Sequence, residues 1–223
     1  MKILALDTST EYCSVALLSD NDVTSREDYA GQRHSELILP MVRQVLADSG
    51  IALTDLDGIT FGSGPGSFTG LRIACGITQG LAFGADLPVV GICTLEALAQ
   101  EAGAEKVVTA LDARMGEIYQ AAYEKGPDEW QPVALPSLHR PENAPLLEGD
   151  NWTACGSGFD VYEDRLRIRY EGCVKRIIRQ MRPNACAIAR LAVRKFVKGQ
   201  SDDPSEAVPL YIRNKVALKE NER

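Results

Sequence analysis

Three stretches hold residue types and spacings that could do chemistry. Asp7-Thr8-Ser9-Thr10 lies between two apolar runs. A carboxylate at a strand end, followed by hydroxyls and free backbone N–H groups, can hold a phosphate or its metal. Such turns mostly use glycine for close approach, and this one has none. The competing reading is a turn whose Thr and Ser bond their own backbone, and the missing glycine favours it. The second stretch, Gly62-Ser63-Gly64-Pro65-Gly66-Ser67-Phe68-Thr69-Gly70-Leu71-Arg72, joins a strand to a helix N-terminus, a natural anion site. It lacks the Lys-Ser/Thr pair of a Walker A loop. The third is His34-Ser35-Glu36, at the start of a helix. A helical zinc site needs a second ligand four residues on, and that residue is Ile38. The other histidine, His139, sits far along the chain among prolines, so neither a His/Cys metal site nor a His-based triad is expected. His34 reads as a helix-entry residue or part of a contact surface.

These residues need elements to position them. Residues 2–7 read as a buried strand, followed by strands over 13–18 and 23–29. Residues 35–49 read as a helix, with Ser35 as N-cap and Gly50 as stop. Pro40 should kink or break it. A strand over 58–61 leads through the glycine string to a helix over 69–84. A strand over 89–93 and a helix over 94–102 follow. The pattern then restarts, with strands over 107–111 and 117–123. Residues 126–145 hold five prolines and read as loops around short strands. A short strand over 152–155 and a helix over 184–198 complete the pattern.

The restart is a repeat of whole units. Leu6-Asp7 and Leu111-Asp112 each end a strand and lead through a polar turn to a second strand. Gly62-Ser63-Gly64 and Gly156-Ser157-Gly158 each follow a later short strand. Two related α/β lobes, each a mixed sheet with packed helices, are expected. Within the helix over 69–84, Gly76, Gly80 and Gly84 fall on one face. Each costs about 1 kcal/mol relative to alanine. A stripe without side chains lets another element approach closely. Spacing does not tell whether that element is the chain's own sheet or a partner's helix.

The chain has 223 residues, 45% hydrophobic and 25% charged, the composition of a globular protein rather than a disordered one, collagen or a coiled coil. No apolar run reaches the ~18–20 residues of a membrane span, and the acidic start is unlike a signal peptide. Six scattered cysteines form no CxxC pair and read as buried, reduced thiols. The net charge is −7 but uneven. Residues 1–162 carry 9 Lys and Arg against 23 Asp and Glu, whereas residues 163–198 carry 11 against 3. An acidic body disfavours a stand-alone nucleic-acid binder. The basic segment, with Lys175, Arg176, Arg179, Arg182, Arg190, Arg194, Lys195 and Lys198, could touch phosphate or could be a solvated helix face.

Four motifs, in order from residue 1 to about 215, resemble the TsaB family. They are Asp7-Thr8-Ser9, His34-Ser35-Glu36-Leu37-Ile38-Leu39-Pro40, the string over 64–72, and Pro209-Leu210-Tyr211-Ile212-Arg213. Ala74 stands where the family usually has glycine. The resemblance implies a two-lobed α/β fold of the actin-like, sugar-kinase and Hsp70 type, with a duplicated mixed sheet. The lobes are then 1–105 and 106–199, with 200–223 able to return to the first. It implies a non-catalytic cytoplasmic subunit that binds TsaD, with TsaE, for threonylcarbamoyl transfer to the adenosine next to the tRNA anticodon. TsaC supplies the threonylcarbamoyl-adenylate. ATP and metal are expected on TsaD and none on this chain, tRNA is met only through the complex, and a homodimer forms when TsaD is absent. TsaD holds its metal with two histidines where this chain has His34 and Ile38. The contact with TsaD, or with a second copy, is expected from His34, Leu37, Ile38, Met41 and Val45 on one helix. Leu71, Arg72, Cys75, Gly76, Gln79, Gly80 and Phe83 are expected to contribute from the next. The alternative is a stand-alone ATPase or metallopeptidase of the same fold, with Asp7, Thr8, Ser9 and Thr10 as its phosphate turn.

Overall fold

A computed structural model describes residues 1–213 of the chain. The first sheet comprises β1 (Lys2–Asp7), β2 (Tyr12–Ser19), β3 (Asp22–Tyr29), β4 (Gly58–Gly64) and β5 (Val89–Cys93). Helices α1 (His34–Ser49) and α2 (Phe68–Ala85) lie between its strands in sequence, and α3 (Thr94–Ala102) follows. The second sheet comprises β6 (Lys106–Asp112), β7 (Ile118–Lys125), β8 (Trp130–His139), β9 (Trp152–Cys155) and β10 (Val174–Ile178). Short helices α4 (Ser157–Val161) and α5 (Glu163–Arg169) precede β10, and α6 (Ala185–Val197) follows it.

The repeat seen in the sequence is a repeat of topology. The first sheet runs β3-β2-β1-β4-β5, and the second runs β8-β7-β6-β9-β10. In each, the first three strands form an antiparallel meander and the fourth pairs parallel with the first. The fifth pairs parallel with the fourth. Both sheets are therefore mixed, and both put an aspartate at the end of the central strand.

Strand periodicity sends alternate residues to opposite faces. On β1, Leu4 and Leu6 join α1 and α2 in one core, with Ile38, Val42, Val45 and Ala74. Ile3 and Ala5 meet Ala185, Ile188 and Ala192 of α6 on the other face. So α6, which falls within 106–199, packs on the first sheet. Helix α3, which falls within 1–105, packs on the second through Leu95, Leu98 and Ala99 against Val107, Leu111 and Tyr123. Residue 105 thus divides the sheets, whereas α3 and α6 are exchanged and form a shared middle layer. Phe159, Leu166 and Tyr170 cover the outer face of the second sheet.

Several local expectations differ from the structure. α1 begins at His34, and its cap is Arg33 with no side-chain bond, so Ser35 is not the N-cap. Gly50 does end it, in the left-handed region. Pro40 does not break α1, which runs unbroken through it. It lies on the exposed face, where the carbonyl it leaves unpaired is open to water. Residues 130–139 form one ten-residue strand despite Pro132 and Pro136. That strand is an edge of its sheet, the place that tolerates proline. Helices α4 and α5 and strand β10 have no counterpart in the sequence reading.

Candidate functional site

The Asp7–Thr10 turn ends β1, and the glycine string closes on it. Thr8 Oγ1 donates to the Gly70 carbonyl at 2.7 Å, and the Ser67 N–H donates to the Ser9 carbonyl at 2.8 Å. A Cβ on Gly66 would lie 2.5 Å from the Ser9 carbonyl oxygen. One on Gly70 would run into the Thr8 carbonyl, and one on Gly62 into Asp7 Oδ1. The glycines absent from the turn are thus supplied by the opposite segment. They let the start of α2 rest directly on the turn.

Asp7 is 1% exposed. Its Oδ2 accepts from Ser9 Oγ at 3.0 Å, and its Oδ1 has no partner. Burial pushes the carboxyl up to about 7; hydrogen bonds from Ser9 oppose the shift, and Glu27 adds slightly to it. An aspartate that holds a metal or orients a phosphate must be ionised and reachable. Burial opposes both here. His34 is also buried, with Nε2 at 2.8 Å from the Thr10 carbonyl, and it ties the start of α1 to the same turn.

Between the lobes lies a cleft of about 630 Å³. Ser9, Thr10 and Glu11 line one side, and Asp112, Arg114 and Ser157 line the other. Arg114 spans it, 3.1 Å from Glu11 and 3.3 Å from Asp112. The second lobe repeats the glycine contact, since Gly156 and Gly158 press on Ala110 of β6. The tail crosses the cleft as a strap. The Leu210 N–H donates to the Ser63 carbonyl at 2.7 Å. Arg213 pairs with Glu117 in the second lobe.

The tail also decides which parts of α2 remain free. Cys75 Sγ and Gln79 Nε2 both donate to the Ala207 carbonyl, each at 3.2 Å. Arg72 stacks 3.8 Å over the Phe68 ring and donates from Nε to the Tyr211 hydroxyl at 2.9 Å. Leu71 is buried, with its Cδ1 beside Gly64. The chain's own tail and core engage these four residues, while Arg72 stays exposed and Gln79 half-buried. On α1, Ile38, Met41 and Val45 are buried in the first core and Leu37 is half-buried against it. Their period follows the core-facing stripe of an amphipathic helix, which reads alike whether the covering surface is internal or external. Gly76, Gly80 and Gly84 behave differently. They are exposed, and among the described residues a Cβ on any of them would meet nothing within 4 Å. Phe83, between them in sequence, is 61% exposed. The stripe therefore does not pack on the chain's own sheet.

Among the described residues, no three of His, Cys, Asp and Glu gather into a possible metal site. All six cysteines are free, three of them buried. The site residues that local pattern missed are those of the tail, notably Ala207, Tyr211 and Arg213. The tail motif over 209–213 marks Tyr211 and Arg213 but not Ala207, and nothing near them in sequence points to α2.

The architecture is that of a two-lobed α/β protein with a duplicated mixed sheet, whose Asp7–Thr10 turn is closed by its own second helix and whose α2 presents an open glycine face. Comparisons with known proteins agree. A family model described as "TsaD: tRNA N6-adenosine threonylcarbamoyltransferase" matches residues 21–151. The "tRNA threonylcarbamoyladenosine biosynthesis protein TsaB" of Escherichia coli is 40% identical over 98% of this chain and 97% of its own length. The protein of the same name from Haemophilus influenzae is 40% identical over 98% and 96%. The solved structure described as "YeaZ from Pseudomonas aeruginosa" superposes with a TM-score of 0.86 at 38% identity, covering 94% of this chain and 99% of that one. The chain belongs to the TsaB family.

Proposed function

We propose that this chain is the non-catalytic partner subunit of a TsaD-containing complex that makes threonylcarbamoyladenosine in tRNA. The observation that carries the reading is the open face of α2. Three helical glycines point into empty space beside an exposed phenylalanine. Helix interiors do not retain such glycines for stability, and a stripe of this kind suits close helix–helix approach. The occupant is the matching helix pair of TsaD, or of a second copy of this chain when TsaD is absent. The family's name supplies the process, and the closed Asp7 turn supports the absence of a nucleotide of its own. On this reading ATP and metal reside on TsaD, TsaE joins the complex, tRNA is met there, and the compartment is the cytoplasm. The stand-alone ATPase is disfavoured by the buried, proton-binding Asp7, and the metallopeptidase by Ile38 in the ligand position.

A dropout reconstitution tests this. TsaC, TsaD, TsaE, ATP, threonine, bicarbonate and tRNA are assayed for modified adenosine with and without the chain. Modification should require the chain, while the chain with ATP and tRNA alone makes none. Gly80→Leu should remain folded yet fail to co-elute with TsaD. Equal modification without the chain would overturn the proposal.

A further inference from the structure

The cations of residues 163–198 are mostly spent inside the molecule. Arg179 pairs with Glu163, Arg182 with Glu27, and Arg165 with Glu142 at 3.7 Å. Arg194 lies 3.6 Å from Asp128, and Lys198 lies 2.6 Å from Glu129. Arg169 donates to the Ala144 carbonyl and Lys195 to that of Gly91. Among the described residues, Arg167, Lys175, Arg176 and Arg190 stand outside these contacts, and all four are exposed. Three of the four line one groove of about 360 Å³ between α5 and β10. Its other charged residue is Glu171, and Ile168, 71% exposed, gives it an apolar wall. So in a chain of net charge −7, three of the four cations of this segment that stand outside such contacts lie together in one groove.

We infer that this groove binds the sugar–phosphate backbone of RNA, an inference that rests on the proposed role in tRNA modification. The charge is complementary to a polyanion, and three long cations from a helix and a strand can each reach a separate phosphate. Ile168 and Ile177 can lie against ribose or an unstacked base. The main rival occupant is an acidic peptide added as a strand to β10, the edge of the second sheet. Two features oppose it. The register between β10 and β9 shifts between Val174 and Arg176. Such irregularity, with Lys175 and Arg176 on the edge, blocks strand addition. The contact is backbone-directed, so it adds affinity without reading sequence. The acidic remainder of the chain makes it effective only within a complex that already holds the RNA.

The test uses the complex of this chain with TsaD, and a tRNA substrate as the probe. The triple variant Arg167→Glu, Lys175→Glu, Arg176→Glu is compared with Arg190→Glu, which alters the one other cation of residues 163–198 that stands outside those contacts. An alanine triple serves as a milder second variant. Both triples lie away from the α2 glycine face and should still co-elute with TsaD. The complex carrying the glutamate triple should bind tRNA at least about tenfold more weakly near ~150 mM salt, with the slope of log affinity against log salt reduced by about 2. Arg190→Glu should bind as the unaltered complex does. A triple variant that co-elutes and binds tRNA with unchanged affinity and slope overturns the groove and leaves the subunit role standing. A triple variant that loses TsaE or TsaD while retaining RNA affinity assigns the groove to an acidic protein surface, which also overturns the proposal. Failure of the unaltered chain to join TsaD would refute the subunit role itself.

Discussion

Replacing Gly76, Gly80 and Gly84 together by alanine separates the stability of the free chain from the needs of its partner. All three lie within α2, and an added methyl at each meets empty space. Alanine is favoured over glycine in a helix interior by about 0.8–1.0 kcal/mol. Gly84 lies in the last turn, where the gain is smaller. The three together should stabilise the isolated chain by about 2–3 kcal/mol, or ~5–10 °C in melting temperature for a protein of this size. Urea unfolding at low protein concentration reads the monomer. A second copy covering the face would make the gain shrink as concentration rises, because the native dimer would then lose contact area. The same variant should bind TsaD at least about tenfold more weakly, since three methyls fill the closest approach of two helices. Opposite signs are the required result. A variant that is unchanged or destabilised as a monomer would refute the open-face reasoning, because it would mean the glycines already touch something in the folded chain.

Gly70→Ala should behave oppositely to Gly80→Ala, although both are helical glycines. Its methyl would strike the Thr8 carbonyl, so the start of α2 must lift off the turn at a cost of about 1–3 kcal/mol, measured by the same unfolding assay. Asp7→Asn should flatten the pH dependence of stability. The native carboxyl titrates near 7 against an ordinary value of 3.8, so the folded chain holds this proton more tightly than the unfolded one. Its contribution is full below the ordinary carboxylate range and is lost as pH rises through about 4 to 7. Between about pH 5 and 7.5 the unaltered chain should lose roughly 2–3 kcal/mol more than the asparagine variant. Parallel unfolding curves for the two proteins across that range would show that Asp7 is not desolvated.

Features that depend on one segment's own period could be read from the sequence. The strand ending in Asp7, its hairpin and their second copy at Asp112 follow from alternation and punctuation by polar turns. They carry the duplicated sheet order with them. What covers a given face could not be read. The row through Ile38, Met41 and Val45 declares that one side of α1 is buried, and it would look the same under a partner helix as under β2. The exchange of α3 and α6 between sheets is hidden for the same reason. That the tail engages Arg72, Cys75 and Gln79 is hidden too, because its residues lie more than a hundred positions away in sequence. Strand β8 was hidden by its prolines, which are breakers in a central strand and acceptable at an edge.

The glycines of this chain do two jobs that a motif cannot tell apart. Those from Gly62 to Gly70 face inward, and Gly66 and Gly70 let backbone meet backbone, closing the Asp7 turn under the first turn of α2. Those from Gly76 to Gly84 face outward and meet nothing among the described residues. The inward set fixes the end of α2 nearest the cleft, and the strap fixes its flank. Ala207 binds Cys75 and Gln79, Tyr211 binds Arg72, and Arg213 reaches across to Glu117 of the second lobe. The core holds a third side through Ala74, Cys75 and Ala82. A helix weakened by glycine is therefore held on three sides by other parts of the chain, and the glycine face is the side left open. A stripe of small residues is useful for docking only if the helix that bears it does not bend or fray. Closing the Asp7 turn supplies part of that rigidity, so the contacts that bury Asp7 also hold the helix that carries the open face.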